Sequence, residues 1–443
     1  MAERVDLTTA HLRSARLSPA PGNRSAFIVL TVPVGSLDEE RGEEGAAHLL
    51  EHLCFKGTPS HPDATSLSRA IERIGGVANA ATDRETTSYW INLPKRELAQ
   101  GAALLGEIVF NHRYDEKDLL TEREVVVEEI ASYNDDPDFV AEVSAERAIF
   151  GQRHPLSREI AGSAAQVRRL PIDRLRAFHA KHYRVERCSL AIAGDLSKAE
   201  ANAVVAEIER AAAGHRGRRS GLATLPRSLG SHTRRPLAPS GSRYVFVERA
   251  GEQAHFALAL PSLAREHRSG DALDVATAVL GEGSASRLFT RIREELGLTY
   301  DISVGNFEYR EAGVFMVASS VEIDRLTRTI SETVSEICRW AHELPSEEEL
   351  DRAKGYLAGG LERTLDEPSE LADWLAEGPL LNSRERSVDE ILASYLAVTP
   401  EQARAAARLI VRPSSFRLGI VGPTRAIADV RAAVRKGLLR ARL

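Results

Sequence analysis

The chain has almost no cysteine. Three residues (Cys54, Cys188 and Cys338) stand far apart in 443, an odd number that makes neither a disulfide framework nor a paired C-x-x-C metal site. A reducing compartment suits them. Cys54, two positions beyond a histidine, is expected to be buried under its helix rather than to serve as a ligand. The chain also has no stretch approaching the roughly 20 apolar residues of a membrane span. Its first 25 residues hold no apolar run of signal-peptide length, and Glu3 and Asp6 argue against an organellar transit peptide. A cytoplasmic location is expected. Nor is there an excess of positive charge: a net charge of −6 and a pI of about 6.2 give no reason to expect a nucleic acid or an anionic membrane as partner.

What is present is an ordinary globular composition, 43% hydrophobic and 28% charged, in a chain too long for one hydrophobic core. Two or more domains follow. The segment that stands out is GAAHLLEHLCFKGT (45–58), which places His48, Glu51 and His52 in the order H-x-x-E-H. On a helix these three positions share one face. Two neutral imidazoles four residues apart can grip a single Zn2+ ion, which in a catalytic site needs a third protein ligand and keeps an open position for water. Glu51 stands beside that position, placed to take a proton. The order is the inverse of the H-E-x-x-H peptidase motif.

Around this helix the chain alternates strands and helices. Residues 26–33 (AFIVLTVP) read as a buried strand, 66–74 as a helix with Ser66 as its N-cap and Gly75-Gly76 as its stop, and 77–93 as one strand bent near Asp83-Arg84. Residues 97–112 and 116–150 are helical, the latter broken at Pro137. A helix over 172–182, a strand at CSLAIAGDL and a helix over 198–214 complete the first half. A segment rich in Gly, Pro, Ser and Arg (216–242) reads as a linker; its arginines lack the interleaved aromatics of a nucleic-acid surface. The second half then repeats the first: AHFALALP echoes AFIVLTVP, 302–319 the earlier strand region, 350–364 the acidic helix, and SSFRLGIVG the strand CSLAIAGDL. The repeat lacks H-x-x-E-H. The expected fold is therefore α+β, two homologous α/β-sandwich domains over 1–215 and 243–443, with the metal site in the first.

Together GSLDE, GAAHLLEHLCFKGT, NAATDRETTSY, TEREVVVEEI and SRLFTRIREELGLTY resemble the pitrilysin-like zinc peptidases, over nearly the whole chain from 26 to 422. The resemblance implies that each chain is half of a peptidase chamber. It implies a third zinc ligand about 77 residues beyond the second histidine, at Glu129, and a further catalytic glutamate seven residues earlier, at Glu122. Glu128 is the adjacent rival for the ligand role. The stretch Asn79, Ala80, Ala81 and Thr82 matches the strand to which the family adds a substrate peptide as a further strand. Arg293 and Tyr300 match a pair that grips substrate and stabilises the oxyanion. Because zinc set and Arg/Tyr pair belong to opposite halves in the family, the resemblance implies a homodimer, or a heterodimer with a homologous chain, in which each chain completes the other's site. The implied activity is zinc-dependent hydrolysis of peptides or unfolded segments. The short loop before Ser286 argues against presequence processing. The competing readings are a non-catalytic scaffold or partner subunit, and a processing enzyme dedicated to one precursor peptide.

Overall fold

The computed structural model describes residues 4–215, 236–426 and 429–441, so the expected linker lies outside the described residues as far as 235. Each half of the chain builds one sheet. In the first, β1 (Val5–Asp6), β2 (Ser14–Pro19), β3 (Ser25–Val32), β4 (Val77–Thr82), β5 (Thr87–Pro94) and β6 (Ser189–Gly194) lie in the order β1-β2-β6-β3-β5-β4. In the second, β7 (Tyr244–Glu248), β8 (Gln253–Ser262), β9 (Ile302–Glu308), β10 (Gly313–Glu322) and β11 (Arg417–Gly422) lie in the order β7-β11-β8-β10-β9. Setting β1 aside, the two orders are the same. Each sheet has one parallel pair, β2 with β6 and β7 with β11, and is otherwise antiparallel. The duplication visible in the sequence is thus a duplication of topology.

The central strands β3 and β6 are buried almost throughout, which is why they read as unbroken apolar runs. Two local expectations change. The region 77–94 is not one bent strand but a hairpin. Its turn closes where Asp83 N–H donates to the Thr86 carbonyl at 2.8 Å, and β4 and β5 then pair from Thr82–Thr87 back to Val77–Asn92. The helix that precedes this hairpin (Ala64–Arg73) is capped by Asp63, whose carboxylate accepts from Ser66 N–H. Ser66 is the third helical residue rather than the cap.

The compact units do not follow the linear division at 215 and 243. One draws its described residues from 1–131, 158–227 and 363–385, the other from 132–157, 228–362 and 386–443. The pieces that change sides are two helices, each opened by a proline at its first turn. The helix Pro137–Phe150 presents small residues (Ala141, Ser144, Ala145, Ala148) at helical spacing and lies on β8 and β11 of the second sheet. Gly419 permits the approach, since a Cβ there would collide with the Ala141 carbonyl. In return the helix Pro368–Leu381 sets Leu371, Ala372, Leu375 and Ala376 against Phe27, Val29, Ala191 and Ala193 of the first sheet. Amphipathic spacing shows that such a helix has a buried face; it carries no information about which sheet that face covers.

Candidate metal centre

The H-x-x-E-H helix, α1 (Ala46–Cys54), starts at Gly45 with φ +89, a left-handed conformation that suits glycine, and a Cβ there would crowd the Ala161 carbonyl. Buried Glu39 holds this end, accepting from Gly45 N–H at 3.0 Å and Ala47 N–H at 2.9 Å. Six of the nine helical residues are buried, Leu49, Leu50 and Leu53 among them. The three that are not are His48, Glu51 and His52. The helix is thus fixed by its apolar face and offers only its chemical face outward.

That face meets the helix Glu116–Asp135. One oxygen of Glu129, Oε2, lies 3.7 Å from His48 Nε2 and 3.6 Å from His52 Nε2, and one donor atom from each residue falls within 4.8 Å of the others. The imidazole rings stand nearly edge to face with centroids 4.8 Å apart. A tetrahedral zinc about 2.0–2.2 Å from each donor sets them roughly 3.3–3.6 Å apart, so these residues fit the ion with small inward movement. Among the described residues no other trio of histidine, cysteine or carboxylate converges in this way. Burial drives the His48 imidazole down to about 4, with the neighbouring His52 adding to the effect, which keeps its lone pair available at neutral pH. The rival Glu128 is exposed.

Glu51 is held from the side of the sheet. Thr82, the last residue of β4, donates its hydroxyl to Glu51 Oε2. Burial raises the Glu51 carboxyl above its ordinary range, and the Thr82 bond partly opposes this. The other residues of the expected substrate strand are in register with it. Asn79 and Ala81 are exposed, Ala80 is partly buried, and β4 pairs with β5 on one side while forming the last strand of its sheet. Its outer edge therefore presents backbone groups next to the base.

Glu122, expected as a further catalytic glutamate, touches the ligand set from behind. It is buried behind the ligands, 4% exposed, and its Oε2 contacts His52 Nδ1 at 3.1 Å. Its Oε1 is paired with Lys56 Nζ at 2.7 Å. One helical turn from Glu129 to Glu122 and then another keeps both on one face, as spacing implied, yet carries Glu122 past the metal point to the far side of His52. Burial penalises the charge of Glu122, but the bonds from His52 and Lys56 outweigh that and hold its carboxyl below the usual range. The sequence reading passed over Lys56 and Glu39, although both lie in motifs already singled out. Their roles depend on contacts that spacing does not encode. Cys54 is buried, as expected, with its thiol 3.5 Å from both Tyr89 Oη and His112 Nδ1, and burial pushes that thiol up.

Arg293 and Tyr300 belong to the other compact unit. There they do meet: the Arg293 guanidinium lies 4.9 Å from the centre of the Tyr300 ring and 4.6 Å from that of Phe289. Tyr300 is 84% exposed. The pair is a stacked cation on an open aromatic, with the phenol free of the core.

Comparison with known proteins points to one family. Residues 16–163 match the sequence profile of insulinase, peptidase family M16, and residues 169–357 that of the peptidase M16 inactive domain. An uncharacterized zinc protease of Streptomyces coelicolor is 32% identical over 91% of this chain and 86% of its own length. Another, of Mycobacterium tuberculosis, is 33% identical over 91% and 89%. Among solved structures, a peptidase M16 inactive domain from Pseudomonas fluorescens superposes with a TM-score of 0.85 at 21% identity, covering 95% of this chain and 98% of that one. A protease from Helicobacter pylori gives 0.81 at 19%, covering 96% and 100%. With an H-x-x-E-H helix, a converging glutamate and relatives of this kind over nine-tenths of its length, the chain belongs to the pitrilysin-like M16 family of peptidases.

Proposed function

We propose that this protein is a zinc-dependent endopeptidase acting on peptides or unfolded segments. The observation that carries the reading is the convergence of His48, His52 and Glu129 at zinc spacing with Glu51 beside them, anchored to the last residue of an edge strand. A zinc ion held there supplies Lewis-acid polarisation of a scissile carbonyl and of the attacking water. The substrate backbone pairs with β4 from Asn79 to Thr82, and main-chain hydrogen bonds hold it with little regard for sequence. Thr82 fixes Glu51 Oε2, and Oε1 takes the proton from water and passes it to the leaving amine. Arg293 and Tyr300 are donors for the oxyanion, supplied by a second chain in a dimeric chamber. The second unit shows no cluster of ligands among its described residues, in keeping with a partner role for that half.

The test is cleavage of a quenched fluorescent peptide library by the purified protein and by Glu51→Gln, with metal content measured on both. Cleavage by the wild type alone, with about one zinc per chain in each, is expected. Zinc in neither protein refutes the reading. Zinc in both without cleavage of any peptide favours the non-catalytic subunit.

A further inference from the structure

Behind the ligand histidines the site is asymmetric. His48 Nδ1 is buried with no hydrogen-bond partner. His52 Nδ1 faces Glu122 Oε2 at 3.1 Å, and the other oxygen of the same carboxylate is pinned by Lys56 at 2.7 Å. Only one of the two imidazoles is therefore held from the rear. The chain that holds it joins three residues, Lys56 to Glu122 to His52, and it ends at a surface-reaching ammonium four residues beyond the motif.

We infer that Lys56 is a positioning residue for the metal centre. Its ammonium holds Glu122 so that His52 donates from Nδ1 and presents the lone pair of Nε2 toward Glu129. This rests on the zinc reading above. The physical argument is one of charge and direction. A carboxylate with its side chain only 5% exposed requires partners that compensate its charge, and Lys56 is the cation that provides this. With Oε1 engaged by Lys56, Oε2 is the oxygen turned to the imidazole, and a carboxylate there can only accept, so Nδ1 must donate. A neutral imidazole protonated at Nδ1 has its free lone pair on Nε2, the atom 3.6 Å from Glu129 Oε2. Lysine sets the orientation of the carboxylate, the carboxylate sets the tautomer, and the tautomer sets the ligand. Methionine at position 56 would retain most of the stem and leave Glu122 facing a side chain that donates nothing.

The experiment measures zinc affinity of the full chain by competition with a chromophoric chelator, for wild type, Lys56→Met, Lys56→Arg, Glu122→Gln and the double variant Lys56→Met/Glu122→Gln. Lys56→Met is expected to weaken zinc binding by about 10–100-fold and Lys56→Arg to restore it to within about threefold, the range outer-shell partners usually span. The double variant should be no worse than the weaker single one, because both changes break one chain. Zinc affinity of Lys56→Met within about twofold of wild type, or single effects that add in full, overturns the inference. Should the variants fail to fold by circular dichroism, the wild type alone decides. Nitrogen NMR of histidine-labelled, zinc-free protein should find His52 protonated at Nδ1, and protonation at Nε2 overturns the inference. A wild type that binds no zinc would instead sink the functional reading.

Discussion

Replacing Thr82 by valine removes a single hydroxyl from the centre. Valine retains the volume, the β-branch and the strand preference of threonine, so β4 keeps its pairing with β5 and its outer edge. What is lost is the bond from the Thr82 hydroxyl to Glu51 Oε2. Hydrogen bonds to charged groups contribute about 1.5–3 kcal/mol. If that energy serves to hold the base in line with the attacked carbonyl, its loss lowers kcat by roughly 10–100-fold, at 1.36 kcal/mol for each tenfold. Zinc content should be unchanged, because Thr82 is not among the converging donors. KM should stay within about twofold, because the backbone edge offered to the peptide is intact. Thr82→Ser restores the hydroxyl and should recover most of the rate. The assay is steady-state cleavage of one quenched peptide by the three proteins, each with its metal measured. Equal kcat for the valine and serine variants would refute the reasoning, as would a loss confined to KM. The first result would make Thr82 only a strand residue, and the second only a contact for substrate.

Three further outcomes are expected. Glu129→Ala should abolish stoichiometric zinc after gel filtration while exposed Glu128→Ala retains it, and equal loss from both would remove Glu129 as the ligand. Burial, reinforced by Asp274, raises the Glu308 carboxyl to about 8, above its value in the unfolded chain, so its contribution to stability is complete below about pH 4.5 and is lost as pH rises through 8. Glu308→Gln should therefore match wild type at pH 5 and exceed it by about 2 kcal/mol at pH 8 after allowance for partial exposure, read as a difference in calorimetric Tm; a gain equal at both pH values contradicts the assignment. Gly419→Ala should destabilise the protein by about 3 kcal/mol, because the new methyl meets the backbone of the helix Pro137–Phe150, and an unchanged melting temperature would mean that this helix does not lie on β11 as described.

How much of this was legible in the chain depends on the range of each interaction. His48, Glu51 and His52 are readable because a helix fixes their common face within five residues. The strands β3, β6, β8 and β11 are readable because burial on both sides requires continuous apolar runs. Glu129 was reachable by family spacing and was not distinguishable from Glu128 by periodicity without it. The helix exchange between units was not legible. The stripe Ala141, Ser144, Ala145 and Ala148 announces close packing but fits any surface with a glycine in it. The turn at Asp83–Thr86 was missed because polar residues in a strand-rich segment suit a bend as well as a reversal. The contact of Glu122 with His52 was not legible either, because sharing a face with Glu129 fixes its direction from the axis but not its depth behind His52.

The duplicated topology isolates what a metal centre requires beyond its fold. In the first unit α1 follows β3 and leaves His48, Glu51 and His52 as its incompletely buried stripe. In the second, the helix Gly270–Gly281 follows β8 and buries the same kind of apolar face, Leu273, Val275, Ala276 and Leu280. Its incompletely buried stripe carries Asp271 and Asp274. Both are already engaged: Arg386 donates to Asp271 at 2.8 Å, and Tyr395 donates to Asp274 at 3.2 Å. Each of these carboxylates accepts a bond from within its own unit, whereas the first unit turns two imidazole nitrogens and a carboxylate oxygen toward one point. The two helices therefore share a scaffold and differ in whether their polar stripe is closed on itself. The second unit ties its two carboxylates internally and leaves Tyr300 exposed, stacked with Arg293.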